Sequence, residues 1–239
     1  MRLQAMLSDD GLGAFILVLA NSQQDEDINA VLKSALKKNF ALLRDNYETI
    51  KINSPRDDVD VFEKLIAMDL DALPLWRYRA VGQWQLVCNS VRQLRPARAA
   101  LQTFSSIRQE FDENRFHFNK PFLQPEILWE GEYRDEKLRI LYNKFPFADY
   151  HLLIALSPQL GQAQLLTEKA HRTTFSLIQD AATVFPGFGI GFNSLAAGAS
   201  VNHLHFQGFI RQDQFPIEKK CWQHNGGEMD YPLAVTRFT

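Results

Sequence analysis

The chain has 239 residues, of which 46% are hydrophobic and 23% are charged, and its formal net charge is -2. This composition is typical of a folded soluble protein and excludes wholesale disorder. A charge so close to zero gives no long-range electrostatic reason to bind nucleic acid or an acidic membrane. The two cysteines, Cys88 and Cys221, are too few for a disulfide framework and favour a reducing, cytoplasmic environment.

The first hundred residues predict an α/β region over 1–105 that carries no recognisable motif. The apolar run GAFILVLA at 13–20 is too short to span a bilayer and lacks the basic leader of a signal peptide. We expect it to form a buried strand. Apolar residues at helical spacing predict helices over 25–43 and 59–68, and the Trp-, Tyr- and Val-rich stretch 75–88 predicts strands.

Residues 92–98 are basic and include one proline. A run of this kind is more often a solvated turn than a phosphate-binding patch, and we favour the turn. We place a soft domain boundary between Arg95 and Gln109. It divides the chain into the N-terminal region 1–105 and a catalytic region 106–239.

The second half of the chain predicts an antiparallel sheet with a crossing helix, which is an α+β fold. The helix begins at Thr167, whose hydroxyl is a good N-cap, and is stopped by Pro186 and Gly187. Strand signals lie before and after this helix. The predicted strands cover 115–120, 138–142, 151–156, 188–193 and 203–210.

The segment GFNSLAAGASVNHLHFQGF at 191–209 carries the chemistry. Side chains alternate between the faces of a strand, so His203, His205 and Gln207 are expected on one face. A neutral imidazole is nucleophilic near pH 7, and a phosphoimidazole is a good leaving group. The small residues of the preceding loop allow backbone N–H groups to approach phosphate oxygens. Further donors in this loop are Asn193, Ser194, Ser200 and Asn202.

This segment resembles the transferase branch of the histidine-triad superfamily, in which His-x-His-x-Gln follows a small-residue loop. NSLAAGASVNHLHFQGF resembles the GDP-L-galactose and GDP-D-glucose phosphorylases in particular, and the motif is also similar to galactose-1-phosphate uridylyltransferases and diadenosine tetraphosphate phosphorylases. Three further segments resemble that family in the same order. They are RFHFNK at 115–120, YNKFPFADYHLLIALSP at 142–158 and FPIEK at 215–219.

The resemblance implies a histidine-triad-like fold and a nucleotidyltransferase of the phosphorylase type. The implied substrate is a nucleoside diphosphate sugar, with GDP-hexose favoured, and the implied acceptor is inorganic phosphate. His205 would be the nucleophile of a nucleotidyl-histidine intermediate, Gln207 would contact the transferred phosphoryl group, and His203 would brace the site. The substrate-binding residues implied are Asn143, Asn193, Ser194, Gly198, Ser200, Asn202, Lys120 and Lys219. This chemistry requires no cofactor.

Four other functions stay open. A dinucleoside polyphosphate phosphorylase or a hexose-1-phosphate nucleotidyltransferase would use the same intermediate with another leaving group or acceptor. A histidine-triad hydrolase is disfavoured by Gln207, which replaces the third histidine. A non-catalytic nucleotide-binding protein would keep the loop without forming the intermediate. Members of the family extend further at the C-terminus than Thr239, so a homodimer in which a second subunit completes the site is also open.

Zinc is the alternative cofactor, because His203, Cys221 and His224 are ligand types that bind it. Uridylyltransferases that hold a metal with the first histidine of the motif carry a Cys-x-x-Cys that is absent here. We therefore expect no metal at His203.

Aromatic residues around the predicted hairpin are expected to be structural. Phe116, Phe118, Phe145 and Phe147 are placed in the core, with Phe147 the least certain. His151 is expected to cap the hairpin rather than to contact substrate.

Overall fold

The structure is a computed structural model, and it describes residues 2–8, 11–96, 106–211 and 213–238. The helices are α1 (Arg2–Met6), α2 (Leu12–Ser22), α3 (Glu26–Asp45), α4 (Tyr47–Asn53), α5 (Arg56–Ile66), α6 (Ser90–Gln93) and α7 (Glu168–Ala182). The strands are β1 (Arg77–Val81), β2 (Trp84–Cys88), β3 (Ile127–Tyr133), β4 (Glu136–Tyr142), β5 (Leu152–Leu156), β6 (Phe188–Gly191) and β7 (His205–Ile210). Short 3₁₀ helices span Leu70–Ala72, Pro121–Glu126, Pro158–Leu160, Pro216–Glu218 and Gln223–Asn225.

The N-terminal part of the chain begins as a group of helices, and the strand predicted at 13–20 is wrong. That run lies in α2, in which every residue except Gly13 is buried. A continuous apolar run cannot distinguish a buried strand from a helix that is covered on all sides, because neither shows periodicity. Among the described residues, none of the helices combines the length and the apolarity that crossing a bilayer requires.

The two helices and the strands predicted for the rest of this region are confirmed. The helix predicted over 25–43 is α3, whose first turn is capped by the Asp25 side chain accepting from the Ile28 N–H at 2.9 Å. The helix predicted over 59–68 is α5, and the stretch 75–88 forms the antiparallel hairpin β1–β2.

The main sheet has five strands in the order β3-β4-β5-β7-β6, and every neighbouring pair is antiparallel. Helix α7 covers one face, where Ala170 joins a core cluster with Ile154, Leu156 and Phe206. The opposite face carries a second cluster that includes Phe118 and Ala155. The α+β fold with an antiparallel sheet and a helix on one face is therefore confirmed.

Several element boundaries differ from the sequence prediction. Residues 115–120 form no strand. Strand β3 was not predicted, because Gly131 and the glutamate on either side of it weaken the strand signal of ILWEGEY. The last strand begins at His205 rather than His203. Helix α7 does begin after Thr167, which accepts from the Ala170 N–H at 3.2 Å, and it ends at Ala182 before the predicted stop.

A buried ion cluster joins the helical region to the sheet. Lys144, in the loop between β4 and β5, places its Nζ 3.0 Å from Asp58 Oδ1 and 2.7 Å from Glu126 Oε1. Burial alone lowers the pKa of Lys144, but the two carboxylates outweigh it and raise that pKa. Helix α2 comes so close that a Cβ on Gly13 would lie 2.7 Å from Asp58 Oδ2 and 2.9 Å from Lys144 Nζ.

The division of the chain at residue 105 stays a prediction. Residues 97–105, which contain most of the predicted boundary, lie outside the described residues. On either side of that gap the helices and the sheet share the cluster around Lys144, and Tyr142 and Phe145 pack against the core of the helical region.

Candidate active site

A pocket of about 360 Å³ lies on the face of the main sheet opposite α7. This volume is in the range of small-molecule binding sites. Its wall combines β4, β7, the loop before β7, the β4–β5 loop and the segment that follows β2. Six of the predicted site residues line it: Asn143, Asn193, Gly198, Ser200, His205 and Gln207.

His205 lies in this wall and is only 4% exposed. Its Nδ1 is 2.8 Å from the carbonyl oxygen of His203. A carbonyl oxygen only accepts, so Nδ1 carries the proton and Nε2 keeps its lone pair. Burial lowers the pKa of His205 to about 4, although the bond to the His203 carbonyl opposes that shift. At neutral pH the ring is therefore uncharged, with Nε2 as its basic nitrogen.

His203 lies behind the pocket wall rather than in it. Its Nδ1 accepts from the Phe118 N–H at 3.0 Å and its Nε2 donates to the Pro158 carbonyl oxygen at 3.0 Å. Its ring packs against those of Phe111 and Phe118, with centroids 5.1 and 5.6 Å away. Because both ring nitrogens are held, the backbone carbonyl of His203 is a fixed acceptor for His205.

Gln207 is two residues further along β7 and lines the same pocket. Its Oε1 is hydrogen-bonded to Nε2 of His151, a fully buried residue just before β5. Nδ1 of His151 accepts from the Phe147 N–H at 3.3 Å, so the proton of the neutral ring is on Nε2. The Gln207 amide is thus held by its oxygen, and its NH₂ group is left for other acceptors.

Gln164 is a site residue that the sequence did not reveal. Its buried side chain accepts from the His205 N–H at 2.8 Å and donates to the carbonyl oxygens of His205 at 3.0 Å and Asn193 at 2.8 Å. It therefore ties the first residue of β7 to the start of the preceding loop. One of two glutamines in the stretch LGQAQLL gives no signal of such a role.

The loop between β6 and β7 is folded on itself. The N–H groups of Ala197 and Ala199 donate to the Ser194 carbonyl at 3.1 and 3.3 Å, so these two amides are engaged within the loop. Gly198 has φ +103°, a conformation that favours glycine, and Asn193 Nδ2 donates to the Ala197 carbonyl at 2.9 Å. The expectation that the loop amides approach a phosphate is thus wrong for Ala197 and Ala199.

Four predicted substrate-binding residues lie outside the pocket wall. Ser194 closes the loop just described. Asn202 donates to the carbonyl oxygens of Gln109 and Glu110 and accepts from the Gln164 N–H. Lys120 donates to the Glu113 carbonyl at 3.0 Å and Lys219 to the Gln83 carbonyl at 2.7 Å. The side chains of Asn202, Lys120 and Lys219 are thus bound to other parts of the fold, and Ser194 takes part through its backbone carbonyl.

Asn143 does line the pocket. Its Oδ1 accepts from the Phe145 N–H at 2.9 Å, and its Nδ2 lies 3.1 Å from the protonated Nε2 of His151. Its backbone N–H donates to the His151 carbonyl at 3.0 Å. The hairpin cap expected of His151 is therefore present.

Arg92 and Arg95 also line the pocket. Arg92 is half-buried in α6, so the solvated-turn interpretation is wrong for it, whereas Arg95 lies in the turn after α6 with an exposed side chain. Arg92 lies in α6, and Arg95 lies two residues after its end, with its N–H donating to the Arg92 carbonyl at 3.1 Å. Burial lowers the pKa of both guanidiniums, and the charge of Arg95 lowers that of Arg92 further. The remaining basic residue of the predicted run, Arg98, lies outside the described residues.

The four phenylalanines placed in the core all contribute to the pocket wall. Phe118 is 3% exposed and belongs to the core cluster as well, whereas Phe147 is 41% exposed. The spacing of aromatic residues along the chain does not show whether a side chain packs in the core or lines a cavity, so the sequence could not separate these two cases.

The described residues contain no group of three or more His, Cys, Asp or Glu side chains that could hold a metal ion. The alternative zinc set is not brought together. His203 uses both ring nitrogens in the core, and Nε2 of His224 lies 2.7 Å from the Ile217 carbonyl oxygen.

Comparison with known proteins places these residues in a family. The model of the GDPGP1-like N-terminal domain matches residues 77–209, which is more than half of the chain. GDP-D-glucose phosphorylase 1 of Macaca fascicularis is 33% identical over 196 residues, 70% of this chain and 50% of the relative. The Danio rerio protein of that name is 38% identical over 119 residues, 49% of this chain and 34% of the relative.

A plant relative, GDP-L-galactose phosphorylase 2 of Arabidopsis thaliana, is 33% identical over 130 residues, 47% of this chain and 30% of the relative. The chain thus spans half or less of the length of these relatives. No solved structure matches it. The resemblance stated from 191–209 is confirmed, since that segment falls within the matched region, and the chain belongs to the GDPGP1-like family.

Proposed function

We propose that this chain carries the active site of a GDP-hexose phosphorylase, which transfers a guanylyl group to inorganic phosphate through a covalent intermediate on His205. The observation that carries the proposal is the protonation state of His205. Its Nδ1–H is held by the His203 carbonyl and its pKa is lowered by burial, so Nε2 is a neutral nucleophile in the pocket wall.

In the first half-reaction, Nε2 attacks the phosphorus attached to guanosine. The P–O bond to the hexose phosphate breaks, the P–N bond forms, and hexose 1-phosphate leaves with the bonding electrons. The imidazole becomes cationic, because Nδ1 keeps its proton. The hydrogen bond from Nδ1–H to the His203 carbonyl becomes charge-assisted at this point and stabilises the intermediate.

In the second half-reaction, an oxygen of inorganic phosphate attacks the same phosphorus. The P–N bond breaks, its electrons return to Nε2, and GDP is released. Gln207 faces the phosphoryl group in both steps, and its NH₂ donors stabilise the charge on the phosphoryl oxygens. Two displacements at one histidine predict ping-pong kinetics.

The names of the relatives support this substrate class, since they include GDP-D-glucose phosphorylases and a GDP-L-galactose phosphorylase. The four alternative functions differ in what they consume and release. They are a dinucleoside polyphosphate phosphorylase, a hexose-1-phosphate nucleotidyltransferase, a hydrolase and a protein that only binds nucleotide. A substrate panel therefore separates them.

The test is a product assay with GDP-glucose, GDP-L-galactose, UDP-glucose and diadenosine tetraphosphate, each with and without inorganic phosphate. We expect phosphate-dependent release of GDP and hexose 1-phosphate from a GDP-hexose, and no turnover by His205→Ala. Release that needs no phosphate, or equal turnover by His205→Ala, would contradict the proposal.

A further inference from the structure

The pocket wall contains carboxylates that the proposed mechanism does not use. Among its described residues these are Asp57, Asp58 and Glu126. Asp58 and Glu126 both bind the Lys144 ammonium, at 3.0 and 2.7 Å, and so belong to the ion cluster that joins the helices to the sheet. Asp57 lies next to this cluster, in the first turn of α5, and its Oδ2 is shielded from solvent.

Asp57 is brought to the pocket by the N-terminal helices rather than by the sheet. The ion pair between Asp58 and Lys144 fixes the start of α5 against the β4–β5 loop. Lys144 directly follows Asn143, which lines the same pocket. The first turn of α5 therefore borders the cavity that His205 lines from the sheet.

The part of the wall near this carboxylate is aromatic. Phe116 and Phe122 line it with their ring centroids 6.2 Å apart, and Phe122 is 43% exposed. Phe122 belongs to the 3₁₀ helix Pro121–Glu126, whose last residue binds Lys144. An aromatic surface beside a carboxylate suits a flat ring that carries N–H donors on its edge.

Guanine is a ring of this kind. Its N1–H and its 2-amino group are two neighbouring donors, and one carboxylate can accept from both. We infer that Asp57 selects guanine by accepting hydrogen bonds from these two groups. The inference rests on the proposed function for the class of substrate. It names the residue that distinguishes a GDP-hexose from other nucleoside diphosphate sugars.

The same carboxylate disfavours the other bases. Adenine has a lone pair at N1, and hypoxanthine lacks the 2-amino group. A lone pair that faces a buried carboxylate is repelled, and a missing donor leaves the carboxylate oxygen without the hydrogen bond that guanine would supply. Asp57 lies outside residues 77–209, which the family model matches, so the inference gives the N-terminal helices a direct part in substrate binding.

The first experiment varies the base and leaves Asp57 unchanged. Titration calorimetry on the His205→Ala protein, in which no turnover occurs, measures the binding of GDP, inosine diphosphate and ADP. Inosine diphosphate differs from GDP only by the missing 2-amino group. We expect it to bind about tenfold or more weakly than GDP, and ADP to bind more weakly still. Equal affinities for GDP and inosine diphosphate would overturn the inference.

The second experiment exchanges a donor for an acceptor on both partners. Xanthosine diphosphate has a carbonyl oxygen in place of the 2-amino group, and an asparagine amide can donate to that oxygen while it accepts from N1–H. In the His205→Ala background, we expect Asp57→Asn to weaken GDP by about tenfold or more and to strengthen xanthosine diphosphate. A damaged fold cannot produce this gain. Weaker binding of GDP without the gain would contradict the role of Asp57.

The matched control is Asp60→Asn, the same substitution on the same helix. Asp60 pairs with the exposed Arg56 at 2.8 Å and is not one of the described residues of the pocket wall. We expect this variant to keep the affinities of the His205→Ala protein for all four diphosphates. If Asp60→Asn shifts the preference from GDP to xanthosine diphosphate as far as Asp57→Asn does, the assignment to Asp57 is wrong.

These titrations do not depend on the covalent mechanism. If protein with His205 intact turns over no GDP-hexose, the proposed function fails, and the affinities for the four diphosphates still decide whether Asp57 binds the base. If a GDP-hexose is turned over but Asp57→Asn leaves the preference among the bases unchanged, the inference fails alone.

Discussion

Nε2 of His151 donates a hydrogen bond to Oε1 of Gln207, and the two residues are 56 positions apart in the chain. The buried imidazole cannot rotate freely, because its Nδ1 is held by the Phe147 N–H. The amide of Gln207 is therefore fixed with its oxygen towards His151. In this orientation it presents donors, rather than an acceptor, to a phosphoryl group.

We expect His151→Leu to lower kcat about 10- to 100-fold with less than a threefold change in KM, because an unheld amide loses its fixed orientation in the transition state. Gln207→Glu should lower kcat further, since a carboxylate repels the phosphoryl oxygens. The exposed His171→Gln on α7 is the control. Steady-state kinetics with GDP-hexose and phosphate give the values, and an unchanged kcat in His151→Leu would exclude the positioning role.

Gln164→Leu is expected to reduce the free energy of unfolding by about 2–4 kcal/mol, because it leaves buried main-chain groups of His205 and Asn193 without a partner. Gln162→Leu is the matched control, since only the backbone carbonyl of Gln162 takes part, in a bond to the Leu204 N–H. Urea unfolding followed by circular dichroism measures both. Equal free energies of unfolding for the two variants would show that the Gln164 side chain does not stabilise the fold.

The four buried histidines predict that the protein is destabilised by mild acid, since burial lowers the pKa of His117 and those of the other three. Burial lowers the pKa values of His151, His203 and His205 to about 4 in the folded state, whereas an unfolded histidine has a pKa near 6.5. Below pH 6.5 the unfolded chain binds more protons than the folded protein does. The stabilisation that comes from keeping these rings neutral is therefore complete above pH 6.5 and is lost as the pH falls towards 4.

The expected slope is up to about 1.4 kcal/mol per pH unit for each histidine over that window. Urea unfolding at pH 7.5, 6.5, 5.5 and 5.0 measures it. His151→Leu should reduce this slope by the contribution of one histidine, and His171→Gln, at an exposed position, should leave the slope unchanged. A free energy of unfolding that stays constant from pH 6.5 to 5.0 would mean that these rings are not buried in the neutral form.

Because of the ion cluster between the helices and the sheet, we expect two lysine substitutions to lower the free energy of unfolding by different amounts. Lys144→Met removes the buried ammonium that both carboxylates bind, which we expect to lower the free energy of unfolding by about 3–5 kcal/mol. Lys37→Met, which removes an exposed partner of Asp71, should cost less than about 1 kcal/mol. Similar losses in both variants, by urea unfolding, would contradict the structural role of the cluster.

Strand β7 and the shared face of its polar residues could be predicted from the sequence because their signal is local. His205 and Gln207 alternate within six residues, and alternation in a strand places them on one face wherever the strand lies. The same holds for the helix after Thr167, whose cap and apolar face are both within the segment. Predictions of this kind need no knowledge of distant parts of the chain.

The partners of these residues are not local and could not be found in this way. His151 reaches Gln207, and Arg95 reaches Ser200 across 105 positions, only because the sheet and α6 bring the segments together. The run at 13–20 shows the other limit, since complete burial removes the periodicity that distinguishes a helix from a strand. Lys120 and Lys219, taken from a resemblance rather than from geometry, donate instead to the backbone carbonyls of Glu113 and Gln83.

The most direct test of the central claim is the intact mass of the protein, quenched after brief incubation with GDP-glucose or GDP-L-galactose in the absence of phosphate. The account predicts a mass gain equal to one guanosine monophosphate, which maps to the peptide containing His205 and disappears when phosphate is added. The gain should be absent in His205→Ala. A protein that releases GDP from these substrates without ever gaining this mass, or that carries it on another residue, would contradict His205 as the nucleophile.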